Sequence, residues 1–165
     1  MSLLLPSGMR PDTSIELRTR TNTKIDNNQT WQLSRFEWSQ LADSLDRFYE
    51  PYAVMAGEPC PIYNCHGLTF GSRRTGVHPT NQSVFSLLDD DGFKEVSPKL
   101  TRPGDVILYF DSGGELIHSG IVVAILEYGI PRVWSKWGKG YEMVHVLAAC
   151  PYKFDSTKFY RLQWK

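Results

Sequence analysis

The sequence of 165 residues has few cysteines, no net charge and no long apolar run. Three cysteines are too few for a disulfide framework, and they lack the Cys-x-x-Cys spacing of a structural zinc site. Eighteen basic and eighteen acidic side chains cancel, which removes the field that would favour nucleic acid or an anionic membrane. No apolar run approaches the roughly 20 residues that span a bilayer. We therefore expect a reduced globular protein that binds neither nucleic acid nor membrane.

The first six residues contain three consecutive leucines and no preceding basic region. This stretch is too short for the apolar part of a signal peptide. The prediction is a protein that is cytoplasmic as synthesised, unless a dedicated secretion system or cell lysis releases it. In that case a delivery or immunity protein would be among its partners.

The first half of the chain carries helical periodicity after a polar arm. Residues 1–30 are rich in Thr and Asn and predict a loosely ordered arm with one edge strand near 15–17. Ser34 and Glu37 have capping-box spacing at the start of a predicted helix. The apolar spacing predicts three helices, over 34–49, over 65–71, and from an N-cap at Thr80 to the acidic turn at 89–92.

The second half of the chain has the composition and turn signals of β-strands. Strands are predicted at 106–110, 117–125, 132–135, 143–149 and 159–162. Helices first and an antiparallel sheet of about five strands afterwards indicate an α+β fold. Residues 31–165 are expected to form one domain.

The most definite chemical signal is Cys65, which follows Asn64 at a predicted loop-to-helix junction. Gly67, just inside that helix, allows another backbone to come close, as a substrate would. His118 stands at the head of the strongest predicted strand. A thiol at the start of a helix and an imidazole on a rigid strand are the two parts that a cysteine nucleophile needs.

A thiol with an ordinary pKa of about 8.5 needs help to attack at neutral pH. The partial positive charge of the helix N-terminus and a neighbouring imidazole are the two expected aids. His66 is adjacent to Cys65 and on a helix would point about 100° away from it. His118 is therefore the preferred base, and a histidine that merely flanks a turn is the alternative.

A base histidine usually needs a third group that fixes its tautomer. Ser135, on the next predicted strand, offers a hydroxyl that could accept the second N–H of His118. His145 lies in an apolar run and is either a core histidine or the third catalytic residue. Lys136, between Trp134 and Trp137, is either a substrate contact or a surface lysine with a buried stem.

Three segments resemble the NlpC-type cell-wall peptidases. Residues 64–67, Asn-Cys-His-Gly, are similar to the Asp-Cys-Ser-Gly nucleophile motif of that family. Residues 102–110 resemble its Pro-Gly-Asp-Leu-Val-Phe-Phe strand, and residues 118–122 resemble its His-Val-Gly-Ile-Tyr. Order and spacing agree over 50–137, and the CHAP amidases share the same plan.

The resemblance implies a circularly permuted papain-like fold, with Cys65 as nucleophile and His118 as base. It also implies a tyrosine ahead of the cysteine, for which Tyr52 is the match. The chain departs from the pattern at His66, where the family has a small serine. It departs again on the next strand, where Ser135 stands in place of His, Asn, Gln or an acid.

We therefore expect a cysteine peptidase or amidase that cleaves an amide bond through a thioester, with a peptidoglycan peptide as the leading substrate. No metal or organic cofactor is required. A non-catalytic module that binds a peptide or glycan, or an effector that deamidates protein glutamine, are the alternatives. The residues expected to contact substrate are Tyr52, Asn64, His66, Gly67, Trp134, Lys136 and Trp137.

Overall fold

The computed structural model describes residues 12–45, 52–78 and 81–163. Within these ranges the helices are α1 (Arg35–Leu45), α2 (Cys65–Phe70) and α3 (Asn81–Asp91). The strands are β1 (Asn27–Asn28), β2 (Ala53–Gly57), β3 (Gly76–Val77), β4 (Phe93–Val96), β5 (Val106–Phe110), β6 (Leu116–Ile125), β7 (Pro131–Lys136), β8 (Glu142–Val146) and β9 (Ser156–Leu162). Short 3-10 turns lie at Pro98–Leu100, Glu127–Gly129 and Leu147–Ala149.

Seven strands form one sheet in the order β2-β8-β7-β6-β5-β9-β4, and β1 and β3 form a separate pair. Every neighbouring pair in the large sheet is antiparallel. The predicted α+β class is therefore confirmed, but the expected five strands are corrected to seven. Sequence patterning missed the two edge strands because β2 lies in a proline-rich stretch and β4 has only four residues.

Both faces of the sheet are covered, since every residue of β5 is buried. We call the side that carries α2 and α3 the helix face, and the opposite side the far face. On the helix face Leu108 packs with Val84 and Leu88 of α3. The far face is built from Ile107, Tyr109, Val122, Val133 and Phe159, and is covered by the segment after β8.

The helices begin where the sequence indicates. The Ser34 N–H donates to the Glu37 carboxylate at 2.8 Å, and the Glu37 N–H donates to the Ser34 hydroxyl at 3.2 Å, which is the predicted capping box. The predicted continuation of this helix over 46–49 and the N-cap at Thr80 lie outside the described residues. In the described part of the chain, no helix combines the length and apolar character needed to cross a membrane.

The described part of the predicted N-terminal arm, residues 12–30, packs on the domain. Leu17 and Ile25 are buried in a cluster with Val77 and with Leu87 of α3. Isolated antiparallel bridges and the β1–β3 pairing hold this segment, and the strand expected near 15–17 is absent from the described residues. The polar composition of residues 1–30 did not indicate that Leu17 and Ile25 would anchor this segment.

Asp105 and Arg161 form an ion pair between a buried carboxylate and a partly exposed guanidinium, which joins the start of β5 to β9. Arg161 Nε and Nη2 donate to the Asp105 carboxylate at 2.7 and 2.8 Å, and the Arg102 N–H donates to it at 2.9 Å. Burial raises the pKa of the Asp105 carboxyl. However, the bonds from Arg161 and Arg102 outweigh burial, so the pKa lies below its ordinary value.

We expect Asp105→Asn to lower the free energy of unfolding by about 2 kcal/mol at neutral pH, because the hydrogen bonds from Arg161 and Arg102 lose their charged acceptor. The pKa of Asp105 is lower in the folded than in the unfolded state. The stabilisation is therefore present at neutral pH and is lost as pH falls through the folded-state pKa. Urea denaturation at decreasing pH should show the difference between the two proteins shrinking.

The matched control is Glu95→Gln, which breaks the exposed pair between Glu95 and Lys158, 3.5 Å apart. This change should cost less than about 1 kcal/mol. Equal losses in the two variants would contradict a structural role for the Asp105 pair.

Candidate active site

Asn64 caps α2 and fixes Cys65 as its first residue. The Asn64 Oδ1 atom accepts the N–H of Gly67 at 2.8 Å and the N–H of Val77 at 3.1 Å. Its Nδ2 atom donates to the Val77 carbonyl at 2.8 Å. The side chain expected to contact substrate is therefore engaged in joining α2 to β3.

Gly67 permits a close approach, but the approaching group belongs to the chain itself. A Cβ atom at Gly67 would lie 2.0 Å from the Thr75 carbonyl oxygen. The sequence reasoning expected a substrate backbone at this position, and the structure corrects that expectation. The glycine lets the segment that leads into β3 lie directly against α2.

The helix α2 packs on β6 and β7 near the point where these two strands separate. Pairing of these strands runs from Gly120–Ser135 to Ile125–Pro131, and within the described strands it does not extend to His118 and Ser119. The Ser119 hydroxyl on β6 contacts α2, with its oxygen 2.8 Å from His66 Nδ1 and 3.0 Å from the Thr69 hydroxyl oxygen. The helix that begins with Cys65 is therefore held against β6.

Cys65 is buried, with 7% of its surface exposed. Burial raises the pKa of the thiol to about 11, although the N–H groups of Ser119, His66 and Cys65 itself act to lower it. The helix N-terminus was expected to make this thiol more acidic, but loss of hydration has the larger effect. The sulfur is protonated at neutral pH.

His118 lies on the far face of the sheet, because successive side chains on a strand point to opposite faces. Its ring stacks on Tyr152 with 4.3 Å between centroids and contacts Tyr109 at 5.1 Å. The side chain is fully buried, and among the described residues neither ring nitrogen has a hydrogen-bond partner. Burial, with smaller effects from the charges of His145 and His66, holds its pKa well below the ordinary value.

His118 projects from the far face of β6, whereas α2 packs on the face that carries Ser119, and among the described residues neither ring nitrogen of His118 bonds the Cys65 thiol. The Tyr152 ring stacks on His118, and burial raises the pKa of the Tyr152 hydroxyl. His66 is separate from this contact. Its Nδ1 atom lies 2.8 Å from the Ser119 hydroxyl, and burial lowers its pKa to about 4.

Ser135 and His145 pair with each other, whereas the sequence reasoning expected the Ser135 hydroxyl to meet His118. The Ser135 Oγ atom lies 2.8 Å from His145 Nε2, and His145 Nδ1 lies 2.9 Å from the Val146 carbonyl oxygen. A carbonyl only accepts, so Nδ1 carries the proton and Nε2 accepts from the hydroxyl. Strand register explains the correction, because Ser135 lies opposite Gly120 rather than His118.

Glu142 is the centre of a buried polar cluster that the sequence reasoning missed. Its carboxylate accepts from the Tyr63 hydroxyl at 2.5 Å, from Arg73 Nε at 2.7 Å and from Trp134 Nε1 at 3.0 Å. Burial raises the pKa of this carboxyl, but Arg73 and Tyr63 more than offset it and the pKa is lowered. Trp134, a predicted substrate contact, therefore holds Glu142.

Lys136 is neither a surface lysine nor an exposed substrate contact. It is fully buried, with Nζ 4.7 Å from the centre of the Tyr63 ring, and it donates to the Gly140 carbonyl. Burial lowers its pKa to about 8. Tyr52 lies farther out: its side chain is 60% exposed, and its carbonyl accepts the Val146 N–H.

A cavity of about 340 Å³ adjoins the two histidines. Trp137 and Tyr152 line it, and their rings contact His145 at 5.4 Å and His118 at 4.3 Å, respectively. Trp137 was predicted to contact substrate, whereas nothing in the sequence marked Tyr152. Among the described residues no three His, Cys, Asp or Glu side chains are grouped as a metal site requires.

We expect Gly67→Ala to lower the free energy of unfolding by about 2–3 kcal/mol, because the new methyl group has no room beside Thr75. Gly113→Ala is the matched control, since a Cβ atom there meets only the Asp111 carboxylate at 3.3 Å. Urea denaturation of both variants measures the difference. A Gly67→Ala protein as stable as the control would show that α2 does not depend on this contact.

At about pH 8, iodoacetamide should modify Cys60 before Cys65, because alkylation needs an accessible thiolate. Cys60 is partly exposed, whereas Cys65 is buried and has its pKa raised to about 11. Peptide mass spectrometry gives the rate at each cysteine, and urea-unfolded protein is the control in which the rates should converge. Fastest labelling at Cys65 would instead reveal a resting thiolate.

Comparison with known proteins leaves the site to be interpreted from its own geometry. No protein-family model, no curated protein and no solved structure matches the chain. The likeness to NlpC-type peptidases therefore rests on the three sequence segments and stays a prediction.

Proposed function

We propose that the protein is a cysteine hydrolase that cleaves an amide bond, with Cys65 as nucleophile and His118 as general base. The observation that carries this proposal is the buried His118 ring, whose two nitrogens have no partner among the described residues, on the strand against which the helix of Cys65 packs. A buried polar atom without a partner costs about 1–3 kcal/mol. A substrate or a moving proton would give these nitrogens the partner that the resting site does not provide.

The protonation states favour a mechanism in which the proton moves during the attack. A thiol with a pKa of about 11 and an imidazole with a lowered pKa are both neutral at pH 7. A preformed thiolate–imidazolium pair is therefore not the resting state. We propose that substrate binding moves the thiol and the imidazole into hydrogen-bond contact before the reaction.

The reaction then has two balanced steps. The sulfur forms a bond to the amide carbonyl carbon as His118 takes the thiol proton; the C–N bond breaks, and His118 returns that proton to the leaving amine. Water then attacks the thioester carbonyl and gives one proton to His118; the C–S bond breaks, His118 returns that proton to the sulfur, and the acid is released. The N–H groups of Cys65 and His66 in the first turn of α2 are the proposed donors for the oxyanion.

The order of elements supports the proposed papain-like arrangement. A helix that begins with the cysteine precedes β5, and the histidine follows on β6 with β7 beside it. This is the order that the resemblance to NlpC-type and CHAP enzymes implies, with a peptidoglycan peptide as substrate. Glutamine deamidation would use the same two steps on a side-chain amide.

A non-catalytic binding module is the second candidate function. It is favoured by the protonated thiol and by the missing bond between Cys65 and His118. In that case the aromatic cavity would bind a peptide or glycan without turnover.

Muropeptides and a mixed peptide library, each incubated with the protein and analysed by mass spectrometry, test hydrolysis directly. Cleavage products should appear with the wild type, should vanish with Cys65→Ala, and should form about 10²–10⁴-fold more slowly with His118→Asn. Cys60→Ala is the matched control and should keep full activity. Turnover that survives Cys65→Ala would refute the nucleophile, and no turnover of any substrate would favour the binding module.

The pH profile gives an independent test. Protonated His118 cannot accept a proton, and its pKa lies well below 6.5. The acid limb of kcat/KM should therefore fall at a lower pH than the midpoint of about 6.5 for an ordinary histidine. A midpoint at or above that value would contradict a buried neutral base.

A further inference from the structure

The cavity of about 340 Å³ beside the histidines has the composition of a pocket for an apolar group. Its walls are the rings of Trp137, Tyr141 and Tyr152 together with the aliphatic side chains of Leu33 and Leu41. Its volume lies within the range of about 300–1,000 Å³ that is usual for small-ligand sites. Aromatic and branched aliphatic side chains bind occupants of the same character.

The charged groups at the cavity neutralise each other. Glu37 and Lys139 both line it, and Lys139 Nζ lies 2.9 Å from the Glu37 carboxylate. Hydrogen bonds lower the pKa of Glu37 to about 2; the largest effect comes from Lys139, followed by the Ser34 N–H and the Ser34 hydroxyl. The pair between Glu37 and Lys139 therefore stays ionised at neutral pH. Neither charge is left over to attract an acidic or a basic occupant.

The inner wall of the cavity is also the outer wall of the proposed reaction centre. Tyr152 lines the cavity and its ring stacks on His118, with 4.3 Å between centroids. Trp137 lines it too and contacts His145, which bonds Ser135. A side chain that fills the cavity therefore lies one aromatic ring away from the proposed base.

The close packing of α1 on the β7–β8 turn forms the outer side of the cavity. A Cβ atom at Gly140 would lie 2.3 Å from Leu41 Cδ2 and 2.9 Å from the Trp137 carbonyl oxygen. Only glycine allows the helix and the turn to approach this closely. The ion pair between Glu37 and Lys139 holds the same two elements together.

We propose that this cavity is a specificity pocket that binds a bulky apolar side chain, Leu or Phe in character, of a peptide substrate. The inference rests on the proposed hydrolase and names its substrate class. Peptides with a large apolar residue near the scissile amide bind best, and peptides with a small or an acidic residue at that position bind poorly. The aromatic wall then places the scissile amide beside His118.

The test measures binding separately from turnover. The probes are acetyl-Ala-Xaa-Ala amides in which Xaa is Phe, Leu, Ala or Glu, titrated into wild type and Cys65→Ala by calorimetry and tryptophan fluorescence. The Phe and Leu probes should bind about tenfold or more tightly than the Ala and Glu probes. Equal dissociation constants for all four probes would overturn the inference.

A substitution that fills the pocket gives a second test, with a matched control outside the cavity. Leu33→Trp should bring the ratio of the dissociation constants for the Ala and Phe probes close to one. Leu100→Trp adds the same ring at an exposed position beside Arg161, outside the cavity, and should keep the wild-type ratio. A preference for Phe that survives Leu33→Trp would place the apolar site elsewhere and refute this pocket.

The two proposals fail in different ways. Selective binding of the Phe probe that Leu33→Trp abolishes supports the pocket, even if no probe is ever cleaved and the hydrolase proposal fails. Cleavage that depends on Cys65 but shows no preference among the four probes supports the hydrolase and refutes the pocket.

Discussion

The Glu142 carboxylate holds α2, the helix on which the candidate site depends. Tyr63 precedes α2 and Arg73 follows it, and both donate to this one acid on β8. A helix of six residues cannot keep its position by backbone hydrogen bonds alone. The carboxylate therefore ties both flanks of the helix to the sheet. A buried carboxylate needs such donors, because its desolvation would otherwise oppose folding.

The same burial that stabilises the sheet sets the chemistry at its surface. The sulfur atom, the His118 ring and the His145 ring all lie where water is excluded, and each favours its neutral form. A dry site holds fewer competing water molecules and strengthens any charge that forms during a reaction. Uncharged resting groups and strong transient charges are two results of one physical cause.

Local signals in the sequence predicted much of the framework. The apolar run of β5, the capping box at Ser34 and the position of Cys65 at a helix start all appear in the structure. The fold class follows from the same patterns, whereas the edge strands β2 and β4 show no clear alternation.

Sequence patterns could not predict the contacts at the site, because these contacts join residues far apart along the chain or depend on the register of the strands. Tyr63 and Glu142 are 79 positions apart, and no local pattern relates them. A shift of one residue along a strand reverses the face that a side chain occupies, so sequence alone could not assign Ser135 to His145 rather than to His118.

In the large sheet, β9 (Ser156–Leu162) lies between β5 and β4. Ribosomes add about 5–20 residues per second, so one edge of the newly made β5 stays exposed for several seconds, during which chaperones would shield it from aggregation.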